Sequence, residues 1–365
     1  MTGTEGRPRK RAVKRGLWIA AGLAVIVFAL ILYRLHGFDW NNFFRTFRNV
    51  DWRWLSVSAA LLLLTYFVRA LRWAEMLRPL RKKPGLWNIT AATVIGFTSL
   101  VLLGRPGEVV RPYLISVKEH VPFSSQMAAW ALERIFDLMS VLLIFGIALT
   151  RVRPGLHTQS LEWLLRAGGY LVVSLGALCL VLLVAFRSFA SPAHRRIMSA
   201  VTFLPEKIQA RIGKTLTAFI EGMKCTQEFK YLARIVGYTA IQWTIIVVGN
   251  FCLFQGLPAT AGFNLDKVMI FIGFAAFGST VQLPGIGGGM QVAAFVVLTQ
   301  LLGVKDEPAL AAAFLSWLIG FVTVTPFGLA FAFHEGINWK KISHIQEEAD
   351  PAAVPPPTTD HPPPL

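Results

Sequence analysis

Residues 104–111 read Gly-Arg-Pro-Gly-Glu-Val-Val-Arg and follow directly on an apolar run from Thr90 to Leu103. Three charges fall within these eight residues. Pro106 suits the first turn of a helix beginning near Glu108, and Gly104 and Gly107 permit a sharp change of direction. A helix start offers free N–H groups and a positive dipole end, here with Arg105 and Arg111 beside it. Such a break at membrane depth survives only when buried in protein or lining a watery cavity. Two readings stand: a site for a negatively charged group, or an interfacial loop whose arginines snorkel.

The stretch before it decides the topology. Sixteen helical residues, 88–103, reach about 24 Å, short of a hydrocarbon core of about 30 Å. If they crossed alone, every later loop would change sides. The loop 187–230, with eight Lys or Arg, would then lie outside, against the positive-inside rule. The conflict disappears if 88–103 enters, breaks at Gly104–Gly107, and 108–117 leaves by the same face. The sequence therefore predicts a re-entrant hairpin.

Composition agrees with a membrane chain. Of 365 residues, 54% are hydrophobic and 15% charged. Uncharged runs long enough to cross a bilayer occupy 16–33, 167–186, 235–265 and 308–333. The net charge of +16 clusters between these runs, which points to anionic lipid headgroups rather than nucleic acid. Cys179, Cys225 and Cys252 have no paired spacing, so neither a disulfide framework nor a zinc site is expected. The basic segment before the first run resembles a signal-peptide n-region. No small-residue cleavage site follows Tyr33, so an uncleaved span is expected.

In order, residues 1–15 form a basic cytoplasmic N-terminus and 16–33 the first span. An aromatic interfacial segment (34–53) follows, then span two (54–71). Residues 72–83, with five basic residues against Glu75, are expected in the cytoplasm, with Arg72 snorkelling there. After the hairpin, 125–150 crosses outward, 151–167 lies outside, and 168–186 returns. The loop 187–230 is cytoplasmic, with an amphipathic stretch at 208–221. Residues 235–256 cross outward. A second short pair, 268–283 and 290–302, is broken by Pro-Gly-Ile-Gly-Gly-Gly (284–289) and reads as a hairpin entered from outside. The span 308–333 leads to a disordered proline-rich tail, 346–365. The predicted fold is an all-α polytopic membrane protein with six full spans and two re-entrant hairpins, its transmembrane domain covering 16–335. Both termini are placed in the cytoplasm. The halves 16–150 and 168–333 each read span, span, hairpin, span, in opposite orientation, as an inverted repeat. Paired broken segments of this kind point to a transport site near the midplane, although no residue-level repeat is evident.

Within 125–150 lie Glu133, Arg134 and Asp137. Glu133 and Asp137 are four apart, hence on one helix face, and ionisable groups so deep in a span usually face a bundle interior. They form either an internal ion-pair cluster or part of a site with Arg105, Glu108 and Arg111. In the second case Glu108 is expected to lock Arg134 or Arg111, leaving the other guanidinium to grip a phosphate. The run Gly287, Gly288, Gly289, after Gly285, offers backbone N–H groups at a helix start: an anion nest, or a place for close helix contact. The seven histidines show no metal-ligand spacing, and no Walker loop or nucleophile elbow is present. No cofactor or metal is expected, nor ATP-driven pumping by this chain alone.

The three motifs 104–111, 133–137 (Glu-Arg-Ile-Phe-Asp) and 284–289, in this order, resemble the flippase-like family related to the membrane region of lysylphosphatidylglycerol synthase. The resemblance covers roughly 16–335. It implies a multi-pass inner-membrane bundle that moves or handles a lipid with a charged headgroup. It carries over Arg105, Glu108, Arg111, Glu133, Arg134 and Asp137 as functional positions. The full-length synthase continues into a soluble aminoacyl-transfer domain where this sequence has a proline-rich tail, so lysyl transfer is not implied. Stand-alone relatives are associated with glycolipid or isoprenoid-lipid pathways. The leading expectation is a lipid translocase whose partners are membrane lipids, alone, as a homo-oligomer, or with an enzyme of lipid biosynthesis. The alternatives are a membrane-bound transferase or its accessory subunit, with Glu108 or Asp137 as base, and a scaffold.

Overall fold

The computed structural model describes residues 39–151 and 228–336, apart from 281 and 284–286, together with scattered positions between 168 and 217. The predicted span 16–33, most of 152–227 and both tails lie outside the described residues. Apart from one two-residue ladder, the described regular structure is helical. Four of the described helices are long and apolar enough to cross a membrane. The molecule is inside-out relative to a soluble fold: Phe229 and Phe333 are three-quarters exposed, while Arg72 and Glu133 are fully buried.

Helix α1 (Trp40–Arg48) is short and amphipathic, and Asp39 caps it by accepting from the Asn41 and Asn42 N–H groups. Its apolar side stacks Phe43 on Phe47, and Phe47 reaches Phe314. Asp51 caps α2 (Trp52–Leu77). This helix runs six residues past the predicted Leu71, because Arg72 finds buried carboxylates and Glu75, itself buried, pairs with Arg78 and Arg234. The hairpin follows as α3 (Leu86–Leu103), a 3-10 turn (Arg105–Val109) and α4 (Val110–Glu119). Gly104 turns the chain at φ 72°, and a Cβ on Gly107 would collide with the Ser99 carbonyl. Next come α5 (Phe123–Arg151), α6 (Phe229–Gln255) and α7 (Leu265–Gly278). The second apex carries β1 (Gln282–Leu283) paired antiparallel with β2 (Gly287–Gly288). Then α8 (Gly289–Val296) passes into a π turn (Val297–Leu301), and α9 (Asp306–Trp317) passes through another (Leu318–Val322) into α10 (Thr325–His334).

Ion pairs and backbone contacts mark two rims. At one, Glu75 at the end of α2 holds Arg78 (3.2 Å) and Arg234 of α6 (3.3 Å). Glu119 joins both ends of the first hairpin there. It accepts from the Gly85 N–H (3.1 Å) and the Asn88 amide (2.8 Å), and pairs with Arg81 (3.0 Å). Lys118 pairs with Glu335 at the end of α10. At the other rim, the Asp51 N–H donates to the Gly256 carbonyl (2.9 Å), and Arg151 of α5 approaches Asp266 of α7 (3.7 Å). So α2 and α6 lie antiparallel, and the start of α3 and the end of α4 come together at one rim.

Contacts between the halves are reciprocal. Helices α2 and α6 lie against each other along their length. Helix α5 covers α7, the first arm of the second hairpin, and α10 covers α3, the first arm of the first hairpin. Gly328 of α10 leaves no room for a Cβ against Thr98 of α3, and Gly273 of α7 leaves none against Phe145 of α5. Each second arm, α4 and α8, packs on the span that follows it. The tips meet: Arg105 of the first apex donates to the Ser279 carbonyl of the second (3.1 Å).

Candidate functional site

The site grows from one helix face. Glu133 and Asp137, four residues apart on α5, turn together towards α2. Arg72 meets both, with Nη2 on Glu133 (2.6 Å) and Nη1 on Asp137 (2.8 Å), and also donates to the Thr239 hydroxyl of α6 (3.2 Å). Arg69, one turn earlier, reaches Asp137 (3.1 Å) and Glu133 (3.4 Å). Arg111 of α4 takes the second oxygen of Glu133 (2.7 Å) and donates to the Arg69 carbonyl (3.3 Å). Its guanidinium lies 4.1 Å from the Trp73 ring centre. That arrangement suits a desolvated cation–π contact, worth about 2 kcal/mol. Gly96 of α3 makes room for it, since a Cβ there would stand 2.5 Å from that of Arg111. The Gln242 amide of α6 closes the ring on Asp137 (3.5 Å).

Above this cluster, between the two hairpin tips, lies a cleft of about 360 Å³. Its charged lining is Arg69, Arg105, Glu108, Arg134 and Asp137. Arg105 pairs with Glu108 (2.6 Å) while holding Ser279. Arg134 has no carboxylate within ion-pair distance among the described residues, and its buried Nε has no hydrogen-bond partner there. Along α5, Arg134 lies about 16 Å and Asp137 about 21 Å from Phe123, near the middle of the helix. Cleft and cluster together hold five arginines (69, 72, 105, 111, 134) against three carboxylates (108, 133, 137), an excess of two positive charges. The rest of the lining is chiefly apolar and aromatic, including Phe97, Trp243, Phe271 and Phe277.

Of the sequence-predicted residues, Arg105, Glu108, Arg134 and Asp137 line the cleft, and Arg111 and Glu133 sit behind it in the cluster. Two expectations are corrected. Glu108 pairs with Arg105, its neighbour one 3-10 turn away, and not with Arg134 or Arg111. Arg72 does not snorkel to the rim but is the buried centre of the cluster, because two carboxylates await it inside. Gly285 lies outside the described residues. Gly287 is tied into the β ladder, and the Gly288 N–H already donates to the Gln291 side chain (2.7 Å). The cleft is walled there by Met290 rather than by Gly288 or Gly289. Sequence reasoning missed Thr239, Gln242 and Asn250. Arg69 and Arg72 stand three apart on α2, hence on one face, and that spacing is the signal in the sequence for both.

The region of lysylphosphatidylglycerol synthase known as its TM region matches residues 19–328. The chain is also similar to the glycosyltransferase AglD of Haloferax volcanii, 25% identical over 339 residues. These are 85% of this chain and 52% of that protein, so the chain spans about half the length of the curated relative it matches. No solved structure matches.

Proposed function

The chain belongs to the lysylphosphatidylglycerol synthase TM region family, and from that premise we propose that this multi-pass membrane protein translocates lipids with a phosphate headgroup. The observation that carries the proposal is the cleft between the hairpin tips: deep, net cationic, and bearing in Arg134 a guanidinium with no carboxylate within ion-pair distance among the described residues. A buried excess of positive charge is costly unless an anion answers it. A lipid phosphate placed there would be gripped by two-pronged donors while its chains stay in the bilayer. The reciprocal contacts between halves support an inverted repeat of six spans and two re-entrant hairpins, both termini cytoplasmic, with the site at the repeat interface. In this arrangement the Arg105–Ser279 contact is the seam that parts to let a headgroup through.

The test is headgroup movement in proteoliposomes without any co-substrate, followed by leaflet-selective chemical labelling. Wild-type protein is expected to bring the labelled fraction to equilibrium, and Arg134→Gln to slow it at least tenfold. No movement by the folded wild-type protein rejects the proposal.

A second reading has its own support in the similarity to AglD, a glycosyltransferase. Here the chain serves a lipid-modifying pathway as a transferase or a subunit of one, with Asp137 or Glu108 near the lipid. A product lipid of altered mass would favour it over translocation.

A further inference from the structure

Five polar side chains line the cleft besides the charged ones: Thr65, Asn250, Ser279, Thr280 and Ser316. Tyr66 also lines it, but spends its hydroxyl proton on the Gly320 carbonyl (2.9 Å). Each of the five gives a proton to a carbonyl three or four residues back in its own segment. Thr65 donates to Leu62 (2.5 Å) and the Asn250 amide to Ile246 (2.8 Å). Ser279, Thr280 and Ser316 donate to Ala276, Phe277 and Ala312, each at 2.7 Å. What these groups still present is mainly oxygen: the free hydroxyl lone pairs and, beside its second N–H, the carbonyl of the Asn250 amide. The arginines are donors with no acceptor capacity. Among the neutral lining groups the free capacity is thus mainly accepting, with the Trp243 indole N–H as a donor beside them. Along α6, Asn250 is eight residues beyond Gln242, the contact of Asp137, so the two ends stand about 12 Å apart.

Resting on the translocase reading, we infer that the headgroup taken up is a phosphodiester bearing uncharged hydroxyl groups, and not one bearing an ammonium. The phosphate meets Arg134, and the hydroxyls donate to Asn250 and Thr280 towards the other end. An ammonium also donates, but it would enter a region with two positive charges in excess. Both nearby cluster carboxylates are already occupied, Glu133 by three arginines and Asp137 by two. A neutral glycolipid satisfies these acceptors and leaves the excess positive charge unanswered.

Four probes separate these cases: phosphatidylglycerol, phosphatidylmethanol (phosphate without hydroxyls), phosphatidylethanolamine (phosphate with ammonium) and a glucosyl diacylglycerol (hydroxyls without phosphate). The purified full chain is mixed with each in detergent micelles, washed, and its retained lipid measured by mass spectrometry. Phosphatidylglycerol is expected to be retained about tenfold over phosphatidylethanolamine and the glucoside, and about fivefold over phosphatidylmethanol, the scale of one or two net hydrogen bonds. Asn250→Leu should erase the preference for phosphatidylglycerol over phosphatidylmethanol, and Arg134→Gln the preference over the glucoside. Equal retention of phosphatidylethanolamine, or an unchanged pattern in folded Asn250→Leu protein, overturns the inference. Selective retention by protein that moves no lipid in proteoliposomes upholds it and rejects translocation. Translocation without selective retention does the reverse.

Discussion

Glu133 and Arg134 are adjacent in sequence and opposite in consequence. Glu133 is fully buried and answers three guanidinium groups, so Glu133→Gln strands buried charge. The expected cost is about 3–5 kcal/mol, read as a lower unfolding temperature in detergent. Arg134 makes no ion pair among the described residues, so Arg134→Gln is expected to leave that temperature within about 1–2 °C of wild type while lipid movement falls. Equal destabilisation by both would make Arg134 part of the cluster and not of the site. At this scale the sequence was half legible. The helical spacing of Glu133 and Asp137, and the charge of Arg105, Glu108 and Arg111, could be read directly. Their partners could not, because Arg72 meets carboxylates more than sixty residues away and Thr239 lies 167 residues from it. Arg72 was assigned to the rim because it borders a basic loop, and local charge carries no information about what waits inside.

The first hairpin is held by two glycines as much as by its ions. A Cβ at Gly107 meets backbone at Ser99 and Leu100, which cannot swing aside. At Gly96 it meets Arg111, and would lift α4 away from α3 and the guanidinium away from Glu133. Gly107→Ala and Gly96→Ala are each expected to cost about 1–3 kcal/mol. Gly237→Ala on α6, with open space at its Cβ, should cost nothing measurable. Unfolding temperatures of the three variants check this, and a neutral Gly107→Ala would mean that the tip is looser than described. Element positions were legible from the apolar runs, and the break between α3 and α4 from Gly104, Pro106 and Gly107. Helix ends were not: α7 stops at Gly278, five residues before the expected end of the arm, where Ser279 and Thr280 turn the chain into the β ladder. Such an ending depends on pairing across the apex, which hydropathy does not encode.

At the scale of the molecule, the two rims predict which loops share a side. Single cysteines at Lys83 and Asp306, both exposed, in a chain with its three native cysteines replaced by serine, should react from opposite faces of sealed cells. Lys83 is expected to be reached only from the cytoplasm, and Asp306 only from outside. Arg195 and Gln159, outside the described residues, should follow Lys83 and Asp306 respectively. Labelling of Lys83 and Asp306 from one face would dismantle the two-rim arrangement. The assignment of sides rests on the basic loops and arm lengths of the sequence, and the labelling tests it. The exchange of cover between halves was not, since no residue-level repeat announces which span lies on which hairpin. That exchange also sets a schedule for biosynthesis. Thr98 and its cover Gly328 are 230 residues apart (328 − 98), so the first hairpin leaves the ribosome well before α10. At roughly 5–20 residues per second, the interval is roughly 10–45 s. For that time Thr98 and Ser99 on α3, and the arginines beside them, face whatever the insertion machinery or the surrounding lipid provides. The nascent hairpin needs a temporary neighbour, and the last of the described helices is the one that replaces it.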